Sequence, residues 1–294
     1  MLSEKQRVLR WFYRQDFPDG QLEFDELLLE AGSKALLKDQ LAAEAWATRN
    51  RSKYWNDVLA VTEEDRRRGR TPLFEVVSTG TRRVVWTPFS LIQSNERKVQ
   101  RFGQRIRARS HILRTIDLFS SREYEALGCA ISQLIGAKEI HLTPSGNEAG
   151  VDFFALLRLR GRSHIFGTTG AEFRIVGQSK LYDRPAAVDK MKEFTATLDS
   201  IRHANPTVMK HTPNWFVRSS VPIVGWFIAH NGVQSGAATK AREQGIIVSD
   251  SLDLAEVAAG SRDIPEAGPA SIRCSTFAGL VQAALRSHVS GLAA

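Results

Sequence analysis

Apolar residues recur at helical spacing from the start of the chain. Val8, Leu9, Trp11 and Phe12 predict a first helix ending near Asp16-Phe-Pro-Asp-Gly20. A second apolar face at Phe24, Leu27, Leu28 and Ala31 predicts a helix stopped by Gly32. Ser33 stands where it can cap a third, running through Leu36, Leu37, Leu41 and Ala45. The period then shortens. Residues 72–78 and 82–87 are β-branched runs separated by Thr79-Gly80-Thr81, the composition of a tight hairpin. Between Asn95 and Arg114 apolar residues thin out to Val99, Phe102, Ile106, Ile112 and Leu113, as in a linker helix or strap.

A second block opens at Ser121, where Tyr124, Leu127, Ile131, Leu134 and Ile135 form one helix face ended by Gly136. Strands are predicted at residues 137–142, 151–159, 164–167 and 173–179, with a turn at 143–147. Helix 188–201, strand 223–230, helix 235–244 and strand 246–248 follow. This order describes an α/β (α+β) sandwich with a mixed sheet. The expected domains are 1–92, a helical unit closing on a hairpin; 93–118, a basic linker; and 119–294, the mixed-sheet domain.

The 294 residues carry a formal net charge of +8 and a pI of about 9.7, a balance that favours an acidic partner such as nucleic acid. Helices followed by one hairpin is the order of a winged helix, in which a helix enters the major groove and the wing touches backbone. Arg66, Arg67, Arg68 and Arg70 flank the hairpin, and Arg82 and Arg83 lie on it. These six are the candidate DNA contacts, with a solvated charged loop as the competing explanation. The arginines of 97–114 can likewise track phosphates or simply solubilise the surface. Cys129 and Cys274 belong to no Cys/His cluster, which argues against zinc and fits a reducing compartment. No signal-type or membrane-spanning run is present, so a cytoplasmic protein without membrane association is expected.

One constellation has the residue types of phosphodiester hydrolysis. Asp152 follows a Gly-containing turn, and Gln178 and Lys180 are two apart on a strand, which places their side chains on one face. Magnesium takes hard oxygen ligands, here the Asp152 carboxylate, the Gln178 amide oxygen and the Ser179 carbonyl. Lys180 would orient or deprotonate water, or stabilise developing negative charge.

The segment from Glu123 to Val257 resembles the Mrr-like restriction endonuclease branch of the PD-(D/E)xK nucleases. The resemblance rests on Tyr124-Glu125, Gly150-Val-Asp152, Gln178-Ser-Lys180 and Ser235-Gly-Ala-Ala238 before Gly245-Ile-Ile-Val248. It implies a restriction-endonuclease-like sheet flanked by helices, metal binding by Asp152 and Gln178, catalysis by Lys180, and assistance from Glu125. Glu123 is the neighbouring candidate for that last role. Glu148 stands where the family commonly has a second acid, and the segment between the Asp and Gln-x-Lys strands is longer than a minimal hairpin.

The expected activity is Mg2+-dependent cleavage of double-stranded DNA, with Mn2+ able to substitute, and the resemblance implies a sequence- or modification-specific restriction enzyme. One metal centre cuts one strand, so a double-strand break implies a homodimer. The competing readings are a non-cleaving winged-helix DNA-binding protein, a structure-specific repair nuclease, and an RNA-directed enzyme.

Overall fold

The computed structural model describes residues 2–146, 150–159, 171–265 and 270–290. The chain divides into two compact units, one spanning Met1–Arg114 and the other Thr115–Pro265 with the C-terminal helix.

In the first unit, α1 (Glu4–Tyr13) starts at a reciprocal cap between Ser3 and Gln6 and buries Val8, Phe12 and Tyr13. A three-residue strand, β1 (Gln21–Glu23), leads into α2 (Phe24–Leu36). Gly32 does not stop this helix. A Cβ there would lie 2.9 Å from the Trp46 ring, so glycine is what lets the next helix approach. The chain turns instead at Leu37, whose φ of 57° is left-handed. Asp39, not Ser33, then caps α3 (Gln40–Arg67) by accepting from the Ala42 N–H. Leu37 and Leu41, expected along one helix, fall on the turn and at the start of α3 and are 85% and 77% exposed.

The hairpin forms as expected from β2 (Phe74–Ser78) and β3 (Arg83–Trp86), and β1 adds to it in the antiparallel order β1-β3-β2. Phe12 contacts Phe17, Phe24 and Phe74, giving the unit an aromatic core. After the short α4 (Thr87–Ile92), the basic stretch forms two helices joined by a turn, α5 (Arg97–Ile106) and α6 (Arg109–Asp117), with Ile106, Ile112 and Leu113 buried.

The second unit opens with α7 (Ser121–Leu134), capped reciprocally by Ser120 and Glu123. Strands β4 (Ala137–Leu142), β5 (Phe153–Leu159) and β6 (Ala171–Lys180) follow. Next come α8 (Val188–Arg202), the short α9 (Pro206–Met209) and α10 (Asn214–Arg218), then β7 (Ile223–Ala229). Helix α11 (Ser235–Glu243), β8 (Ile247–Ser249), α12 (Ser251–Gly260) and α13 (Ala270–Ser290) complete it. The sheet order is β4-β5-β6-β7-β8, antiparallel through β6 and parallel beyond, so the fold is mixed α+β with a five-stranded mixed sheet flanked by helices. The strand expected at 164–167 lies outside the described residues. No helix among the described residues is long and apolar enough to cross a membrane.

The two faces of this sheet are filled differently. On one, Phe154, Val176 and Phe227 join Met191, Phe194 and Leu198 of α8 in an apolar cluster. On the other, the fully buried Phe153 ring fills the space left by two glycines. A Cβ on Gly177 would lie 2.1 Å from that ring, and one on Gly128 of α7 would lie 2.2 Å away. Gly128→Ala and Gly177→Ala should each lose about 1–3 kcal/mol of stability through overpacking. Gly80→Ala, with nothing within 4 Å of its Cβ, should change little in the same urea-unfolding series.

Candidate functional site

Asp152 sits one residue before β5, held by both neighbouring strands. Its N–H donates to the Gly177 carbonyl at 2.9 Å, although Gly177 already pairs with Phe153, so Asp152 stands out of the regular ladder. The Thr143 N–H donates to its carbonyl at 3.0 Å. Its carboxylate Oδ2 accepts the Ser179 N–H at 2.6 Å. On a strand one residue's N–H and C=O point to the same side, so the Ser179 carbonyl is also turned toward Asp152. Ser179 itself is buried, and its Oγ has no hydrogen-bond partner among the described residues.

Burial pushes the Asp152 carboxyl up to about 6 from its ordinary 3.8. The Ser179 N–H and the Lys180 ammonium work against that rise, Glu125 adds to it, and Arg122 opposes it. The structure therefore brings Lys180 and Glu125 each within electrostatic reach of Asp152. Lys180 forms no ion pair with a described carboxylate. Its carbonyl accepts the His230 N–H at 3.0 Å.

The candidate residues come from both faces of the sheet. Gln178 and Lys180 do share a face, and Gln178 Nε2 donates to the Gly150 carbonyl at 2.7 Å, on the side covered by Thr197 of α8. That bond anchors the amide and leaves its oxygen as an acceptor. Glu125 comes from α7 on the opposite face, where it pairs with Arg122 at 2.6 Å. Glu123 is occupied elsewhere: its carboxylate accepts from the Ser120 N–H at 2.8 Å and from Gln282 at 2.7 Å. Of the two candidate glutamates, Glu125 is the one whose charge is felt at Asp152. Glu148 lies outside the described residues.

No protein family, curated protein or solved structure matches the chain. What the site can hold must therefore be argued from its atoms. No group of three His, Cys, Asp or Glu side chains lies together among the described residues. The available donors are oxygens: the Asp152 carboxylate, the Ser179 carbonyl and unpartnered hydroxyl, the Gln178 amide oxygen and Glu125. Such a set fits a hard cation of the magnesium type and offers nothing to a thiophilic metal.

The candidate DNA-contacting arginines differ sharply from one another. Arg66 pairs with Glu63 at 3.7 Å, while Arg67 and Arg68 pair with Glu64 at 2.8 and 3.7 Å. Arg70 is withdrawn into the fold against buried Asp65 at 2.8 Å, and Asp65 also holds the Tyr13 hydroxyl. Arg83 pairs with Glu23 at 2.6 Å. Arg82 reaches from the hairpin to Ser52 Oγ on α3 at 3.5 Å. There it meets a stripe that the sequence reading did not single out. Arg49, Ser52, Lys53 and Asn56 are all exposed at helical spacing, opposite the buried Trp46, Tyr54, Trp55 and Val58. The polar periodicity of α3 was the available signal.

The raised Asp152 carboxyl fixes a sign. Between pH 4 and about 6 the folded chain binds more protons than the unfolded one, so stability falls as pH rises through that window. Ionised Asp152 then costs on the order of 3 kcal/mol at pH 7. Asp152→Asn should be more stable than wild type at pH 7 without added cation, and the difference should vanish by pH 4. Added magnesium should narrow the gap at pH 7 by stabilising wild type alone, as urea titrations at each pH would register.

Proposed function

We propose that the chain is a divalent-cation-dependent deoxyribonuclease. In this reading a winged-helix-like first unit binds double-stranded DNA, and a PD-(D/E)xK-like second unit cuts it. The observation that carries the reading is the partly buried Asp152 carboxylate at the entry to β5, beside the inward-turned Ser179 carbonyl at the end of β6 and within electrostatic reach of Lys180 and Glu125. A structural carboxylate of this kind would gain from full pairing. This one keeps a raised pKa, as a site awaiting positive charge does.

In this mechanism Asp152, the Ser179 carbonyl and the Gln178 amide oxygen hold the cation, and Glu125 supports it directly or through water. Bound magnesium would supply Lewis-acid charge on the phosphate and acidify a water molecule. Lys180 orients that water or stabilises negative charge developing on the phosphate oxygens. The order of helix, Asp strand, Gln-x-Lys strand, later strand and helix is the order that the Mrr-like resemblance implies. A restriction role in the cytoplasm, acting as a homodimer to break both strands, is the biological setting this reading favours. A repair nuclease would use the same chemistry on DNA structure in place of sequence.

For DNA binding, the stripe of Arg49, Ser52 and Lys53 with Arg82 offers cations that are less neutralised than Arg66, Arg67 and Arg68. Lys53→Ala and Arg82→Ala should each weaken duplex binding and lower its salt slope by about one. Arg66→Ala should do so less; equal effects would return the contact surface to the end of α3. For catalysis, the test is cleavage of methylated and unmethylated plasmid with magnesium. Wild type should give fragments, and Asp152→Ala or Lys180→Ala should slow cleavage by roughly 100- to 1,000-fold. Intact plasmid with all three proteins, alongside equal gel shifts, would leave a non-cleaving DNA-binding protein.

A further inference from the structure

We infer that Arg122 is a phosphate-binding residue of this site, held by Glu125 until a phosphodiester displaces it; the inference rests on the nuclease reading above. Arg122 stands in the first turn of α7. Its guanidinium bridges two partners: Nη1 donates to Glu125 Oε2 at 2.6 Å, and Nη2 to the Thr143 carbonyl at 2.6 Å. Thr143 donates in turn to the Asp152 carbonyl, so the guanidinium is tied to the backbone that positions the buried carboxylate. Its charge is felt at that carboxylate. Arg122 and Glu125 both retain 27% side-chain exposure, so a ligand can reach them.

The charges decide what this arrangement does. Asp152 and Glu125 are opposed by Lys180 and Arg122, so the formal charges of the cluster cancel. A dication entering a cancelled cluster still meets Asp152 but gains less Coulomb energy than it would with Glu125 free, because Glu125 is already committed to a guanidinium. A phosphodiester changes the balance. It brings negative charge and oxygens spaced for a guanidinium fork, which Arg122 binds more specifically than a lysine would. Once Nη1 turns to the phosphate, Glu125 is freed as an oxygen ligand beside Asp152. Cation and phosphate binding are then coupled, each strengthening the other by the same factor. An ordinary i,i+3 surface pair would produce no such coupling.

The experiment is calorimetric titration of the full chain with Mg2+ in the absence of nucleic acid, comparing wild type, Arg122→Gln and Arg122→Lys. Arg122→Gln should bind Mg2+ about tenfold tighter, because Glu125 is no longer held. A second measurement uses fluorescence anisotropy of a labelled DNA duplex in Ca2+, which takes the same oxygen ligands. There Arg122→Gln should bind about tenfold more weakly, and Arg122→Lys should fall between it and wild type in both assays. Unchanged or weaker Mg2+ affinity in Arg122→Gln, or unchanged duplex affinity, overturns the inference. Neither readout depends on cleavage. Failure of the wild type to cut would therefore sink the nuclease reading separately.

Discussion

Phe153 is the residue around which the second unit is organised. Its ring lies between α7 and β6 in a slot that exists only because Gly128 and Gly177 lack side chains. Trp226 closes the slot edge-on, with ring centroids 5.7 Å apart. Each wall of the slot adjoins a residue of the candidate site. Asp152 precedes Phe153, Gln178 follows Gly177, and Glu125 lies one turn before Gly128 on α7. Packing one aromatic ring therefore sets the spacing between the helix that brings Glu125 and the strands that bring Asp152, Gln178 and Lys180. Close-packed interiors tolerate little slack, so this spacing is stiff.

Within that frame the site is electrostatically poised. Asp152 is held by one short bond from the Ser179 N–H and by the fields of Lys180 and Arg122, yet burial still leaves its carboxyl raised. The Ser179 hydroxyl, on the strand that holds Asp152, is buried without a hydrogen-bond partner among the described residues. Unmet polar groups of this kind are costly in a stable fold, and they concentrate where a ligand supplies what is missing.

The first unit spends its charge in a different way. Asp65 is fully buried between Tyr13 and Arg70, which ties α1 to the end of α3. Asp16 is drawn down to about 2; although burial works to raise it, bonds from His111, Ser110 and Arg114 outweigh that effect. Arg109 donates to the Thr71 carbonyl at 2.5 Å. A good part of the arginine content of residues 66–114 thus joins helices to one another, and the cations left facing solvent lie on α3, on the hairpin turn and on α5, where Arg97, Lys98 and Arg101 are exposed.

Local periodicity was enough to find α1, the hairpin, α7 and the strand–helix alternation from β6 to β8, because a 3.6- or 2-residue repeat is written in neighbouring side chains. The residues of the candidate site could be singled out in the sequence because Gln178 and Lys180 fall on a clearly patterned strand and Asp152 on the approach to another. Other features were hidden because their cause is distant in sequence. Gly32 reads as a helix stop until Trp46 packs on it, and the three-residue β1 has no pattern before β3 pairs with it. Arg70 reads as a surface cation until Asp65 is buried beside it. Glu123 and Glu125 could be told apart only when Ser120 and Gln282 took the first and Arg122 the second. Sequence determined which elements form and which chemical groups they carry. Tertiary packing decided which of those groups meet, because burial and long-range pairing arise only when distant segments share a core.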